Sequence, residues 1–160
     1  MEIEPEQAFR RAMSAFATGV TVVTAHGRDR LCGITVNSLT SVSLKPRLLL
    51  WCLGDEGARY DLFAAADVWG VTVLGAQEEA LALRFARAET EEVAAGEADA
   101  FAGAPVLKAG IAWLSCRTTE RTKAGDHLII IGQVENFRVK PGAALTFYRG
   151  LYGRLNDPRE

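Results

Sequence analysis

Hydroxyl and amide side chains are concentrated in one short stretch of the 160-residue chain, from Gly33 to Ser43. Five hydroxyls and one amide alternate there with apolar residues that favour burial. A buried hydroxyl or amide needs a hydrogen-bond partner, because removing it from water without one is destabilising. A ligand rich in oxygen atoms, such as a phosphorylated ribityl chain, would supply those partners. An exposed Ser/Thr-rich turn between two strands is the alternative, and these residues alone leave both interpretations open.

A second polar element lies far downstream, where Gly125, Asp126 and His127 precede the apolar run 128–131. A lone histidine at a strand start is more often a structural hydrogen-bonding residue than a catalytic one. Neighbouring residues of a strand point to opposite faces, so the sequence predicts that Asp126 cannot orient His127 as in a Ser-His-Asp hydrolase.

Several other kinds of site lack their sequence signatures. The chain has no GxGxxG fingerprint after a strand and no phosphate-cradling GxxxxGK[ST] loop. Two histidines are too few for a multi-histidine metal centre, and Cys32, Cys52 and Cys116 lack zinc-site spacing. We therefore expect no metal, and chemistry that a bound organic cofactor carries.

Chain length and net charge further restrict the kinds of protein that this sequence can encode. We expect a single domain over residues 1–160. A formal charge of -2 gives no basic surface for nucleic acid or an anionic membrane. The acidic N-terminus does not resemble a signal peptide, and no apolar run approaches the roughly 20 residues of a membrane helix. With cysteines that suit a reducing compartment, the sequence predicts a soluble, cytoplasmic protein.

The pattern of apolar residues predicts a mainly β chain with flanking helices. Helices are predicted over 5–17, 60–66 and 77–88, and strands over 20–24, 31–36, 48–53, 69–74, 111–116 and 128–139. The strand 48–53 is expected to be buried on both faces, and 89–104 to be a surface excursion. Because several strands are joined by hairpin-length connections, an antiparallel barrel is favoured over a doubly wound parallel sheet.

Four stretches in this order carry a family resemblance: 16–24 (FATGVTVVT), 33–43 (GITVNSLTSVS), 124–127 (AGDH) with Gly132, and 148–152 (YRGLY). Together they resemble the short-chain NAD(P)H:flavin oxidoreductases, the flavin reductase components of two-component monooxygenases. The resemblance implies an antiparallel split β-barrel of the FMN-binding type, forming a homodimer. It also implies hydride transfer from NADH or NADPH to FMN or FAD, with reduced flavin passing to a partner monooxygenase.

The resemblance also assigns candidate site residues. Ribityl and phosphate contacts fall on Thr35, Asn37, Ser38, Ser41, Val42 and Ser43, and the backbone of Cys52 and Leu53 is expected near the flavin ring. His127 would position the nicotinamide, as the residue closest to catalysis. Asp126 would orient its loop through a backbone amide, or else be an ordinary turn residue.

One departure from the family pattern concerns the phosphate. Where many relatives carry a Ser-x-Thr element, this chain reads Gly57-Ala58-Arg59. Arg59 would replace the hydroxyls with a charge-assisted bond, or else be a solvated side chain. Further candidates are Phe85 with its flanking arginines Arg84 and Arg87, and Tyr152 with Arg154.

Two rival functions remain open on the sequence. A non-catalytic flavin-storage protein would keep the 33–43 segment without nicotinamide-dependent turnover. A split-barrel oxidase acting on another substrate, such as a pyridoxamine phosphate, would need substrate groups of its own.

Overall fold

The computed structural model describes residues 4–87 and 91–159. The chain is mainly β, with few helices. The helices are α1 (Pro5–Met13), α2 (Tyr60–Ala65) and α3 (Glu79–Ala86). The strands are β1 (Thr18–Gly19), β2 (Thr21–His26), β3 (Leu31–Val36), β4 (Thr40–Leu44), β5 (Arg47–Gly54), β6 (Val68–Val73), β7 (Ala98–Phe101), β8 (Ala104–Leu107), β9 (Ala112–Ala124), β10 (His127–Val139), β11 (Ala144–Tyr148) and β12 (Leu151–Leu155). No helix in the described residues is both long and apolar enough to cross a membrane.

The largest sheet has seven strands in the order β3-β2-β6-β9-β10-β5-β4. All of its neighbouring strands run antiparallel. β3 and β4 lie at opposite edges of this sheet, yet only residues 37–39 connect them. Four peptide steps span at most about 14 Å, so the sheet must curve until its two edges approach each other. Smaller sheets pair β1-β11-β12 and β7-β8.

Large aromatic side chains fill the concave side of this sheet. Trp51 packs edge-on against Phe63 and Trp69, with ring centroids 5.8 and 5.9 Å away. Along β5 only alternate residues are buried, because successive side chains of a strand point to opposite faces. The prediction that 48–53 is buried on both faces was therefore wrong, and the outer face of β5 remains available to the site.

The β7–β8 hairpin is docked onto the sheet through polar contacts. The Thr24 hydroxyl donates to the Pro105 carbonyl at 2.6 Å, and the Leu107 amide donates to the Thr72 hydroxyl at 3.0 Å. All of β8 is buried. In the predicted surface excursion over 89–104, the described part begins at residue 91 and lies largely at the surface, with only Glu91, Val93 and Ala104 buried. Residues 88–90, including the predicted end of the third helix, lie outside the described residues.

Other differences lie at element ends. α1 ends at Met13 rather than residue 17, because the Ser14 hydroxyl bonds to the Arg11 carbonyl and the chain then turns into β1. β9 extends to Ala124, well beyond the predicted 116. Its second half is exposed and polar, so it lacks the apolar alternation that predicts a strand.

Gly70 is the position where the hairpin approaches the sheet most closely. A Cβ placed there would lie 1.7 Å from the Pro105 carbonyl oxygen. We therefore expect Gly70→Ala to lower the free energy of unfolding by about 3 kcal/mol or more, because backbone must move. Urea denaturation measures this. The matched control is Gly57→Ala, whose Cβ meets nothing within 4 Å; an equal loss in both variants would contradict the packing argument.

Candidate functional site

The site lies where the edges of β3 and β5 approach each other. The Cys52 amide donates to the Ser38 hydroxyl oxygen at 3.0 Å, which joins the 37–39 linker to β5. The last paired residue of β5 on its β4 side is Leu50, so from Cys52 onward that side of β5 faces the gap. Farther along, Arg59 Nη1 donates to the Gly33 carbonyl of β3 at 3.2 Å. Ser38 thus joins the linker that follows β3 to β5, and Arg59 joins the segment that follows β5 to β3.

The structure divides the polar segment 33–43 into three parts with different roles. Thr35 has a structural role, since its hydroxyl donates to the Ala82 carbonyl of α3 at 2.7 Å. Asn37 lies in the linker, is exposed, and shows no side-chain hydrogen bond within the described residues. Ser38 accepts from Cys52 and keeps its own proton free to donate. The linker therefore offers hydrogen-bonding groups to a ligand.

The remaining candidates of this segment lie on the edge strand β4. Ser41 and Val42 are exposed, and the Ser43 hydroxyl accepts from the Lys45 amide at 3.3 Å. The pairing with β5 is irregular between Ser41 and Ser43. A bulge of this kind leaves backbone groups unpaired and re-aims side chains, as often occurs beside binding sites.

His127 begins β10 and lies directly opposite Gly54 of β5. Two residues earlier on β5, about 7 Å along the strand, Cys52 lies opposite Ile129 on the same face. Leu53 points the other way and is buried, so any contact it makes with a ligand is through its backbone. His127 thus lies beside the end of β5 on its β10 flank, and the polar linker reaches the opposite flank two residues away.

Asp126 orients His127 directly, contrary to the prediction from the sequence. Its Oδ1 lies 2.7 Å from His127 Nδ1. The prediction was wrong because Asp126 belongs to a turn, in which Gly125 has a φ of +60°, and not to the strand. Adjacent side chains can then converge. The hydrogen bond from His127 lowers the pKa of the Asp126 carboxyl.

This contact determines which ring nitrogen is available. An ionised carboxylate can only accept, so Nδ1 carries the proton and Nε2 of the neutral ring is an acceptor. Nε2 lies 3.7 Å from the point where a Cβ on Gly54 would stand. Glycine at this position therefore leaves the space beside Nε2 open to a hydrogen-bond donor.

Two residues that support this corner were not singled out by sequence reasoning. Lys123 forms an ion pair with Asp55, and the Asp55 amide donates to the Asp126 carbonyl at 3.0 Å. The hydrogen bond to Asp55 raises the pKa of Lys123. Only the register of β9, β10 and β5 brings these residues together, and the sequence carries no signal for it.

Arg59 is held by the protein itself. Its Nη1 also donates to the Phe85 carbonyl at 2.7 Å, and its Nε lies 3.8 Å from Glu91, which in turn pairs with Arg30 at 2.6 Å. The side chain is only 12% exposed, so the interpretation as a solvated residue was wrong. These contacts make Arg59 a bridge between β3, α3 and the Glu91 segment, and a phosphate contact remains a prediction.

Phe85 and Tyr152 serve packing. Phe85 has no exposed surface, and its ring stands 2.8 Å from the Cβ position of Gly33, so its predicted cofactor contact would have to use its backbone. Arg84 pairs with Glu97 at 2.6 Å. Tyr152 packs on Phe147 with centroids 5.2 Å apart, and burial raises the pKa of its hydroxyl. Arg87 and Arg154 are exposed.

Removing the Asp126 carboxylate tests the orientation of His127. In Asp126→Ala we expect the neutral ring of His127 to shift toward the tautomer protonated on Nε2, because Nδ1 loses its acceptor. Nitrogen NMR of the imidazole rings measures the change. His26 is exposed and has no such partner, so its signals are the internal control. An unchanged His127 tautomer would contradict the geometry described above.

Comparisons with known proteins identify the family to which the chain belongs. The family model described as Flavin reductase like domain matches residues 13–156. The FMN reductase (NADH) SmoA of Agrobacterium fabrum is 37% identical over 96% of this chain and 88% of its own length. The reductase component of a flavin-dependent trigonelline monooxygenase from Acinetobacter baylyi is 38% identical over 89% of this chain, which spans 47% of that protein.

A solved structure extends the similarity to three dimensions. The NADH:FAD oxidoreductase SgcE6 of Streptomyces globisporus, in complex with NAD and FAD fragments, superposes with a TM-score of 0.88 and 31% identity, covering 100% of this chain and 99% of that one. The matched region takes in the linker, the edge of β5 and the Asp126–His127 turn. The chain belongs to the flavin reductase-like domain family.

Proposed function

We propose that this protein is a flavin reductase that transfers hydride from NADH, or NADPH, to FMN or FAD and supplies reduced flavin to a partner monooxygenase. The observation that carries the proposal is the placement of His127 and the polar linker within two residues of each other along the end of β5. The relatives support it, since those named above are NADH-dependent flavin reductases or the reductase component of a monooxygenase.

The groups lining the gap fit a flavin. The Asn37 amide and the Ser38 hydroxyl are suited to ribityl oxygens. Backbone groups of Cys52, on the side of β5 that β4 leaves unpaired, suit the polar edge of a planar ring, and the backbone of Leu53 would lie next to it. Ser41, Val42 and Ser43 on the bulged strand would extend these contacts. Apolar walls with a few convergent polar groups are typical of cofactor sites.

The protein's task in this reaction is positioning. The bound flavin supplies the ring that accepts the hydride, so no protein nucleophile is needed. His127 would accept a hydrogen bond from the nicotinamide carboxamide through Nε2, beside the open space at Gly54. Asp126 would hold the imidazole in that state, and Ser38 would hold the edge of β5. Fixing two reactants in register removes much of the entropic cost of their encounter.

We further propose a split-barrel closure of the curved sheet, a homodimer and a cytoplasmic location. The three-residue linker between opposite edges supports the closure. Exposed apolar side chains support a second copy of the chain, because monomers rarely leave large ones in clusters. Leu44 is 81% exposed, Val139 73% and Phe137 60%, and Leu44 and Phe137 line one shared depression.

Replacing His127 separates a reductase from a storage protein. We expect His127→Ala to lower kcat/KM for NADH by about 10- to 100-fold, because the nicotinamide loses its positioning contact. Flavin affinity should stay unchanged. The experiment follows NADH absorbance with added FMN, FAD or riboflavin, and measures flavin binding separately by fluorescence. Wild-type protein that binds flavin but oxidises neither NADH nor NADPH would refute the reductase.

Cysteine reactivity locates the flavin independently of turnover. Burial raises the pKa of the Cys116 thiol to about 12 and also raises that of Cys32, so both should resist alkylation. Cys52 is half-buried at the gap. We expect iodoacetamide to label Cys52 first, and saturating FMN to slow that labelling several-fold. Cys52→Ser should abolish the fast phase, and equal rates with and without FMN would place the flavin elsewhere.

A further inference from the structure

A separate cleft of about 780 Å³ lies between α1, β1 and the linker. Of the candidate site residues predicted from the sequence, only Asn37 and Ser38 line this cleft. Its volume falls in the range of roughly 300–1,000 Å³ typical of small-molecule sites. Asn37 and Ser38 thus belong both to this cleft and to the proposed flavin site.

The walls of the cleft carry aromatic rings, polar groups and one charged side chain. Phe16 and Phe147 bring aromatic rings to the cleft, while Asn37 and Thr40 bring polar groups. Among the described residues that line it, Arg10 is the only charged one. Its guanidinium makes no ion pair or hydrogen bond within residues 4–87 and 91–159. An exposed arginine without a protein partner is available to an anion.

We propose that this cleft binds the adenosine diphosphate half of a dinucleotide, with Arg10 contacting the phosphates. The aromatic rings suit a stacked adenine, and the polar groups of the linker suit ribose hydroxyls. The inference rests on the proposed function and deepens it, since FAD and NADH both carry this half. Ser38 lines the cleft and also holds the Cys52 amide, so a molecule that passes the linker would have its reactive half in the gap.

Binding measurements test the cleft without relying on turnover. Isothermal titration would compare ADP, FAD, FMN, NADH and reduced nicotinamide mononucleotide. In Arg10→Gln we expect ADP to bind about 3- to 10-fold more weakly, because a charge-assisted hydrogen bond to phosphate is lost. FMN and the mononucleotide should be unaffected. If FAD binding weakens by the same factor as ADP binding and NADH binding does not, the cleft is assigned to the flavin. If only NADH binding weakens in this way, the cleft is assigned to the nicotinamide nucleotide.

A second variant blocks the cleft sterically. Gly19 lies on its wall, has no unusual φ, and a Cβ there would meet nothing within 4 Å. Gly19→Leu should therefore fold normally, fill part of the space and weaken ADP binding by a similar factor. The matched charge control is Arg11→Gln, on the same helix and also exposed but outside the cleft, which should bind ADP as the wild type does.

The proposal is overturned if ADP binding is unchanged in both variants, or if FMN affinity falls as much as FAD affinity. A change in oligomeric state with no change in nucleotide binding would also overturn it, and would assign the cleft to a second copy of the chain. Failure of the proposed function is a distinct result. It would appear as wild-type protein that binds ADP in the cleft but oxidises neither NADH nor NADPH, whichever flavin is added.

Discussion

The short linker between β3 and β4 is the constraint on which the site depends. Because residues 37–39 must join strands at opposite edges of a seven-stranded sheet, those edges are drawn together. The Ser38 hydroxyl oxygen then accepts a hydrogen bond from the Cys52 amide of β5, which β4 leaves unpaired. This hydrogen bond thereby joins the linker to β5, next to the exposed Asn37 amide.

At the other end of the gap, charged side chains hold the segment that follows β5. Arg59 donates to carbonyls of β3 and α3, and Glu91 lies between Arg59 and Arg30. Glu91 is buried, and breaking a buried pair by removing one partner is strongly destabilising, whereas forming it contributes little. This cluster is therefore better understood as setting a unique position for the segment after β5 than as a source of stability.

Sequence patterns correctly predicted those elements whose formation depends on residues close together in the chain. The strand 31–36 was predicted with its observed ends, since β-branched residues and a turn before it act locally. His127 was correctly expected at the start of β10. The β7–β8 hairpin was missed because its burial depends on a tertiary contact, the Pro105 carbonyl over Gly70. The burial of the Arg59 and Phe85 side chains could not be predicted for the same reason, since the fold determines whether a side chain meets solvent or protein.

The electrostatic role of Asp126 can be judged by magnitude. Hydride loss leaves positive charge on the nicotinamide, and a nearby carboxylate would favour that charge. Its side chain is 86% exposed, however, so its field is screened to about 1 kcal/mol at ~4 Å. In the role proposed for His127, a wrong tautomer would instead place an N–H donor opposite the N–H donor of the carboxamide. On that proposal, orientation of the imidazole, rather than the field of the carboxylate, is the larger contribution of Asp126.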